Sequence, residues 1–205
     1  ENLNVTSYND GTDLKDRSPY GGLANFSLCD TYGQYDDWDF IYMFYQYDIG
    51  YQLEEQYGNQ YNWYAASDTD ICYEGYHVPT RTEWETLANY LGGATVAGDK
   101  LKESDPSHCH NHVGDDDHCW DTTNTNATND AGFSALPAGL FRKNPDWIMC
   151  RGAYEFLGSE AHFWAQNDDG GDQGYKVVIN DTTSVLQLDE LEHKAHGLSI
   201  RCIKD

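Results

Sequence analysis

Residues 79–93, PTRTEWETLANYLGG, restrict the fold more than any other stretch of this chain. Thr80 is a natural N-cap and Glu83, three positions later, completes a capping box, so the spacing predicts a helix starting just after Thr80. Trp84, Leu87, Ala88 and Leu91 recur at i, i+3, i+4 and i+7 and lay one apolar stripe along it. Gly92-Gly93 supplies the left-handed stop. The rest of the chain is strand-like: GFSALPAGLF, AHFWAQ, YKVVIN and the terminal GLSIRCIKD. One or two early helices before a run of strands predict an α+β fold, with the helices packed on twisted antiparallel sheets. No repeat or linker interrupts the sequence, so residues 1–205 read as a single domain, long enough to bury a core.

The net charge of −23 repels nucleic acid and anionic membranes and argues strongly against both as partners. Aromatic residues make up 14% of the chain, 16 of them Tyr, which separates it from disordered acidic tails. No run of about 18 apolar residues occurs, so no membrane-inserting helix is expected. The chain starts at Glu1, which leads us to expect an upstream piece such as a signal peptide. Six cysteines, an even set without a C-x-x-C, favour disulfides and an oxidising, extracellular setting, secreted or at the cell surface. Four N-x-S/T sequons, at Asn4, Asn25, Asn126 and Asn180, suit exposed positions and would carry glycan only in a cell equipped for it.

Three stretches could hold a ligand. HCHNHVGDDDHC, residues 108–119, concentrates four of the eight histidines. Were Cys109 and Cys119 bonded across an antiparallel hairpin, His110 would face His118 and His112 would face Asp116 on one side of the ribbon. Three imidazoles and a carboxylate suit Zn²⁺, Ni²⁺ or Cu²⁺. The plainer reading is a solvated, stapled hairpin, and it is preferred. NDDGGDQG, residues 167–174, offers Asn167, Asp168, Asp169 and Asp172 as hard oxygen ligands for Ca²⁺, again against the plainer reading of a solvated turn. In DDWDFIYMFYQYDIGY, residues 36–51, Trp38, Phe40, Tyr42 and Phe44 fall on one strand face. That strand is either buried on both sides or an aromatic platform for a glycan or a neighbouring subunit.

Read in order, NLNVT, YGNQYNWYAA, CYEGYHVPTRTEWETLANYLGG, AGDKLKES, ATNDAGFSALPAG, GSEAHFW and GLSIRCIKD resemble one family along nearly the whole chain. It is the Fibrobacter succinogenes major paralogous domain family. The resemblance implies a C-type-lectin-like fold, distantly related to formylglycine-generating enzymes and sulfatase-modifying factors, in secreted or surface-exposed, mostly bacterial proteins. It also implies that Cys72 and Cys202 form the long staple joining the helix start to the last strand. Cys109–Cys119 is then the local pair, which leaves Cys29–Cys150. The strand pair that usually precedes ENLN is absent, residues 35–55, 105–119 and 143–153 look like insertions, and Tyr76 replaces a commoner Trp. His77 and His162 fall in shared blocks and are expected to be structural, and Arg201 is expected to pair with a carboxylate.

The formylglycine-generating relatives need a reactive cysteine pair close together in the C-terminal half, and beyond Cys119 this chain has only Cys150 and Cys202. No G-x-S-x-G, Walker loop or H-E-x-x-H occurs, and nothing singles out two carboxylates for glycoside hydrolysis. The expectation is therefore a non-enzymatic adhesion module that recognises a glycan or a surface protein. The alternative is a self-assembling fibre subunit, in which a copy of the chain adds a strand to an edge left unpaired by the missing strand pair.

Overall fold

The computed structural model describes residues 2–3, 5, 7–12, 43–44, 57–105, 120, 126–143, 152–168 and 170–205. Among them the elements run β1 (Met43–Phe44), β2 (Gln60–Tyr61), α1 (Trp63–Ala66), β3 (Tyr76–His77), α2 (Arg81–Tyr90), α3 (Ala94–Leu101), β4 (Leu140–Lys143), β5 (Gly152–Glu155), β6 (Glu160–Asp168), β7 (Gln173–Asn180), β8 (Leu186–His193) and β9 (Ile203–Lys204). All strand pairs are antiparallel: β1 with β2, β3 with β9, β4 with β5, and a three-stranded sheet in the order β6-β7-β8. The mixed helix and strand class with few helices and antiparallel sheets is the one expected.

Helix α2 forms as its sequence dictates. The Thr80 hydroxyl accepts from the Glu83 backbone N–H at 3.3 Å, and Glu83 Oε2 accepts from the Thr80 N–H at 2.8 Å. A further first-turn amide, that of Arg81, donates to Asn167 Oδ1 at 2.6 Å, so β6 helps to cap the helix. At the far end Gly92 and Gly93 take φ of 101° and 104°, and the Gly93 N–H closes on the Ala88 carbonyl at 2.8 Å. Helix α3 begins at the next residue.

The central sheet divides the core, because side chains on a strand alternate between faces. Ala161, Phe163 and Ala165 of β6 with Val177 and Ile179 of β7 face the helices, against Trp84, Ala88 and Leu91 of α2 and Ala97 and Leu101 of α3. Trp84, Phe133 and Phe163 stand mutually 5.7 Å apart by ring centroid. Trp164, on the other face, packs with Tyr61, Leu140, Leu198 and Ile200, and its Nε1–H donates to the Tyr61 carbonyl at 2.7 Å. Leu3 joins this second layer, its N–H on the Ile200 carbonyl at 2.9 Å.

One reading changes. Residues 132–141 are not one strand: only Leu140–Lys143 pairs as a ladder, while Ala135 and Gly139 make isolated bridges. Positive φ at Gly132, Ser134 and Gly139, with Pro137 between them, breaks the extended run. Arg201 donates to three neutral oxygens, Asn2 Oδ1 at 2.6 Å and the carbonyls of Phe133 and Ser134 at 2.7 and 3.0 Å, and lies over the Phe133 ring. The carboxylate expected opposite it is not among these three.

β8 carries no clean alternation and escapes a reading by pattern. Leu186 and Leu188 face the helices, but a register shift between Lys176 and Val178 on its partner β7 turns the next residues. Past that bulge, charges occupy a buried face.

Candidate functional site

Two clusters stand out, one turned outward and one inward. The outward one begins at the disulfide between Cys72 and Cys202, whose Cα atoms are 5.9 Å apart across a sequence separation of 130. Cys72 is fully buried and its carbonyl accepts from Asn9 Nδ2. Directly after it the chain turns: the Tyr76 N–H donates to the Tyr73 carbonyl at 2.9 Å, and Gly75 sits at φ +79°, where a Cβ would be strained. Tyr76 and His77 then pair with Lys204 and Ile203, and the Asp205 N–H closes on the Gly75 carbonyl at 3.1 Å. A covalent bond and a short ladder thus hold a ribbon that leaves Tyr73 64% and Tyr76 42% exposed, with Ile203 exposed on its other side.

The inward cluster is built on Glu192 of β8. Its Oε2 receives Lys176 Nζ of β7 at 2.8 Å and an Arg142 guanidinium nitrogen of β4 at 3.4 Å. Its Oε1 receives His196 Nδ1 at 2.8 Å and the His193 backbone N–H at 3.1 Å. Arg142 also reaches Glu155 of β5 at 2.9 Å. Burial alone would push the Glu192 carboxyl up, but the bonds from His196 and Lys176 outweigh it and hold the group well below the usual carboxylate range. A carboxylate with four donors on two oxygens and no proton at neutral pH is suited to bracing the β4–β5 hairpin on the sheet, and poorly suited to acid or base work.

His162 lies beside this cluster on β6. Its Nε2 is 2.8 Å from Glu160 Oε2, Phe156 covers its ring, and Nδ1 finds no partner among the described residues. Burial holds its pKa down, so the ring is neutral. Glu160 also accepts from Asn180 Nδ2 at 2.8 Å.

In the 167–174 segment the described contacts run to the protein itself. Asn167 spends Oδ1 on helix α2, Asp168 ends β6 opposite Gly174, and Asp172 is exposed with its backbone carbonyl on the Lys194 N–H. The Lys194 ammonium reaches the Gly171 carbonyl at 2.7 Å and lies 4.4 Å from the Trp63 ring centre. Asp169 lies outside the described residues, among which no group of three or more His, Cys, Asp and Glu is arranged to hold a metal. His110, His112, His118 and Asp116, the cysteines 29, 109, 119 and 150, Trp38, Phe40 and Tyr42, and the sequons at Asn4 and Asn25 also lie outside them. Phe44 is placed in β1, opposite Gln60. Of the remaining sequons, Asn126 is exposed, while Asn180 has its amide engaged: Oδ1 accepts from the Thr182 N–H at 2.8 Å and Nδ2 serves Glu160.

Sequence reasoning passed over Arg142, Lys176, Glu192 and His196, whose convergence spans three separate segments. It also passed over Tyr73 and Tyr76, which the signal YEGY, two aromatics around a turn glycine, could have found.

The model of the Fibrobacter succinogenes major domain family matches residues 1–204. Neither the curated proteins nor the solved structures contain a match to this chain.

Proposed function

The chain belongs to the Fibrobacter succinogenes major domain family, and we propose from that premise that it is a secreted or cell-surface binding module of C-type-lectin-like fold that recognises a glycan and catalyses nothing. The observation that carries this reading is the pair Tyr73 and Tyr76, exposed on a turn that a disulfide and a strand pair hold still. A tyrosine presents an apolar face with a polar tip, which matches a sugar's C–H face and hydroxyls. Holding the rings in place beforehand removes part of the ordering cost of binding. The charge of −23 weighs against a second copy or an anionic polymer on the same surface. The Cys72–Cys202 bond supports an oxidising location and leaves Cys202 without a thiol for formylglycine-type chemistry.

The fibre reading finds less support. The described free edge of the central sheet is β8, where Asp189 and Glu190 are exposed, and charges on an edge oppose strand addition.

A glycan array probed with the oxidised protein tests the proposal. Binding that Tyr73→Ala and Tyr76→Ala each weaken about tenfold or more, a loss that only a minority of interface residues reach, supports it. No bound glycan, or binding indifferent to both variants, overturns it. Capture of a surface protein through the same tyrosines would make the partner a protein.

A further inference from the structure

His77 stands between two acids drawn from distant parts of the chain. Its Nε2 lies 2.9 Å from Glu83 Oε1 in the first turn of α2, and its Nδ1 lies 2.6 Å from Asp205 Oδ1 just past β9. Ionised carboxylates only accept hydrogen bonds. A neutral imidazole has one donor, so it would set a bare lone pair against one of the two oxygens. Only the doubly protonated ring satisfies both. Glu83 is already committed on its other oxygen, where Oε2 accepts from the Thr80 N–H and hydroxyl, each at 2.8 Å. The ring therefore connects the capping box of α2 with the end of the ribbon that carries Tyr76.

We infer that the imidazolium of His77 is a proton-operated clasp, closed when charged, which fastens residues 203–205 to the start of helix α2 and thereby sets how firmly the ribbon is held. The charged groups facing it are Glu83 from α2 and Asp205 just beyond β9. Its cross-strand neighbour Ile203 is apolar, and Lys204 stands opposite Tyr76 on the other side of the ribbon. Bonding to Asp205 and then to Glu83 raises the His77 pKa above 6.5, against the opposing effect of burial. The clasp therefore contributes fully below the unfolded value and is lost as pH rises through the raised folded one. It stays shut in acid and loosens toward alkali. Disulfide-bonded Cys202 limits the opening to the residues beyond it.

The inference does not depend on what the ribbon binds, and NMR of the intact, oxidised protein tests it. The His77 ring resonances should titrate with a midpoint above 6.5. Hydrogen-exchange protection of the Asp205 amide, which donates to the Gly75 carbonyl, corrected for the intrinsic pH dependence of exchange, should fall roughly fivefold across that midpoint, the scale of one partly exposed charge-assisted bond. Asp205→Asn, at a side chain 63% exposed, should lower the His77 midpoint and remove the step without unfolding the protein. His77→Gln should give the low protection at every pH. A midpoint at or below 6.5, or protection of the Asp205 amide that does not track the His77 titration, would overturn the clasp.

Discussion

Lys176 Nζ and Glu192 Oε2 meet at 2.8 Å between adjacent strands, with side chains only 9% and 8% exposed. Removing the carboxylate strands the Lys176 ammonium in a place water barely reaches. Glu192→Gln should therefore cost about 3–5 kcal/mol, the scale of breaking a buried pair from one side. The double variant Lys176→Met with Glu192→Leu should lose much less. Urea unfolding of the three proteins decides, and a Glu192→Gln loss below that of the double variant would contradict the account.

The same carboxylate sets an acid limit. Its folded pKa lies far below the ordinary 4.5, so its contribution is complete above that value and drains away as pH falls beneath it. The urea midpoint of the native protein should drop between pH 5 and pH 3. Glu192→Gln should start lower and show a flatter dependence over the same interval.

Gly139 sits at φ +62°, and a Cβ there would collide with the Glu155 carbonyl oxygen and lie 2.8 Å from the Leu157 nitrogen. Both are backbone atoms that cannot swing aside. Gly139→Ala should destabilise by about 3 kcal/mol or more, combining left-handed strain with overpacking. Thermal unfolding monitored by near-ultraviolet dichroism would show it.

Asn167 offers the cleanest separation of a ligand role from a capping role. With Oδ1 on the Arg81 amide at 2.6 Å, Asn167→Ala should cost about 1 kcal/mol, the usual value of a lost cap. The loss should be equal with and without millimolar calcium. A calcium-dependent difference between the two proteins would mark the 167–174 segment as a cation site.

How legible the molecule is in its sequence depends on how local the determining physics is. The capping box of Thr80 and Glu83, the stripe Trp84–Leu91 and the stop at Gly92 are each complete within one helix, and each could be read directly. β8 could not, because a bulge shifts its alternation and its inward carboxylate makes sense only beside Lys176 and Arg142. The His77 clasp needs residues 77, 83 and 205 in one place, a conjunction that exists only after β3 has found β9. Asn167 is the instructive case: its side chain looked like a ligand by composition, and a helix start 86 residues away uses it.

Removing the Cys72–Cys202 bond through Cys72→Ser and Cys202→Ser should lower stability by about 5 kcal/mol in the chain-entropy description of so long a loop. Denaturation of the double variant against the oxidised protein gives the figure.

That bond also governs what a protease can do. Residues 105–119 and 143–153 both fall inside the span it closes. A cut anywhere between positions 73 and 201 leaves two peptides still tethered to each other. The nicked molecule would migrate as one species until a reductant is added, and the cut ends would remain near their partners. Sequence gained within that span, whether by insertion or by engineered display, is retained by the same tether even after its backbone is severed.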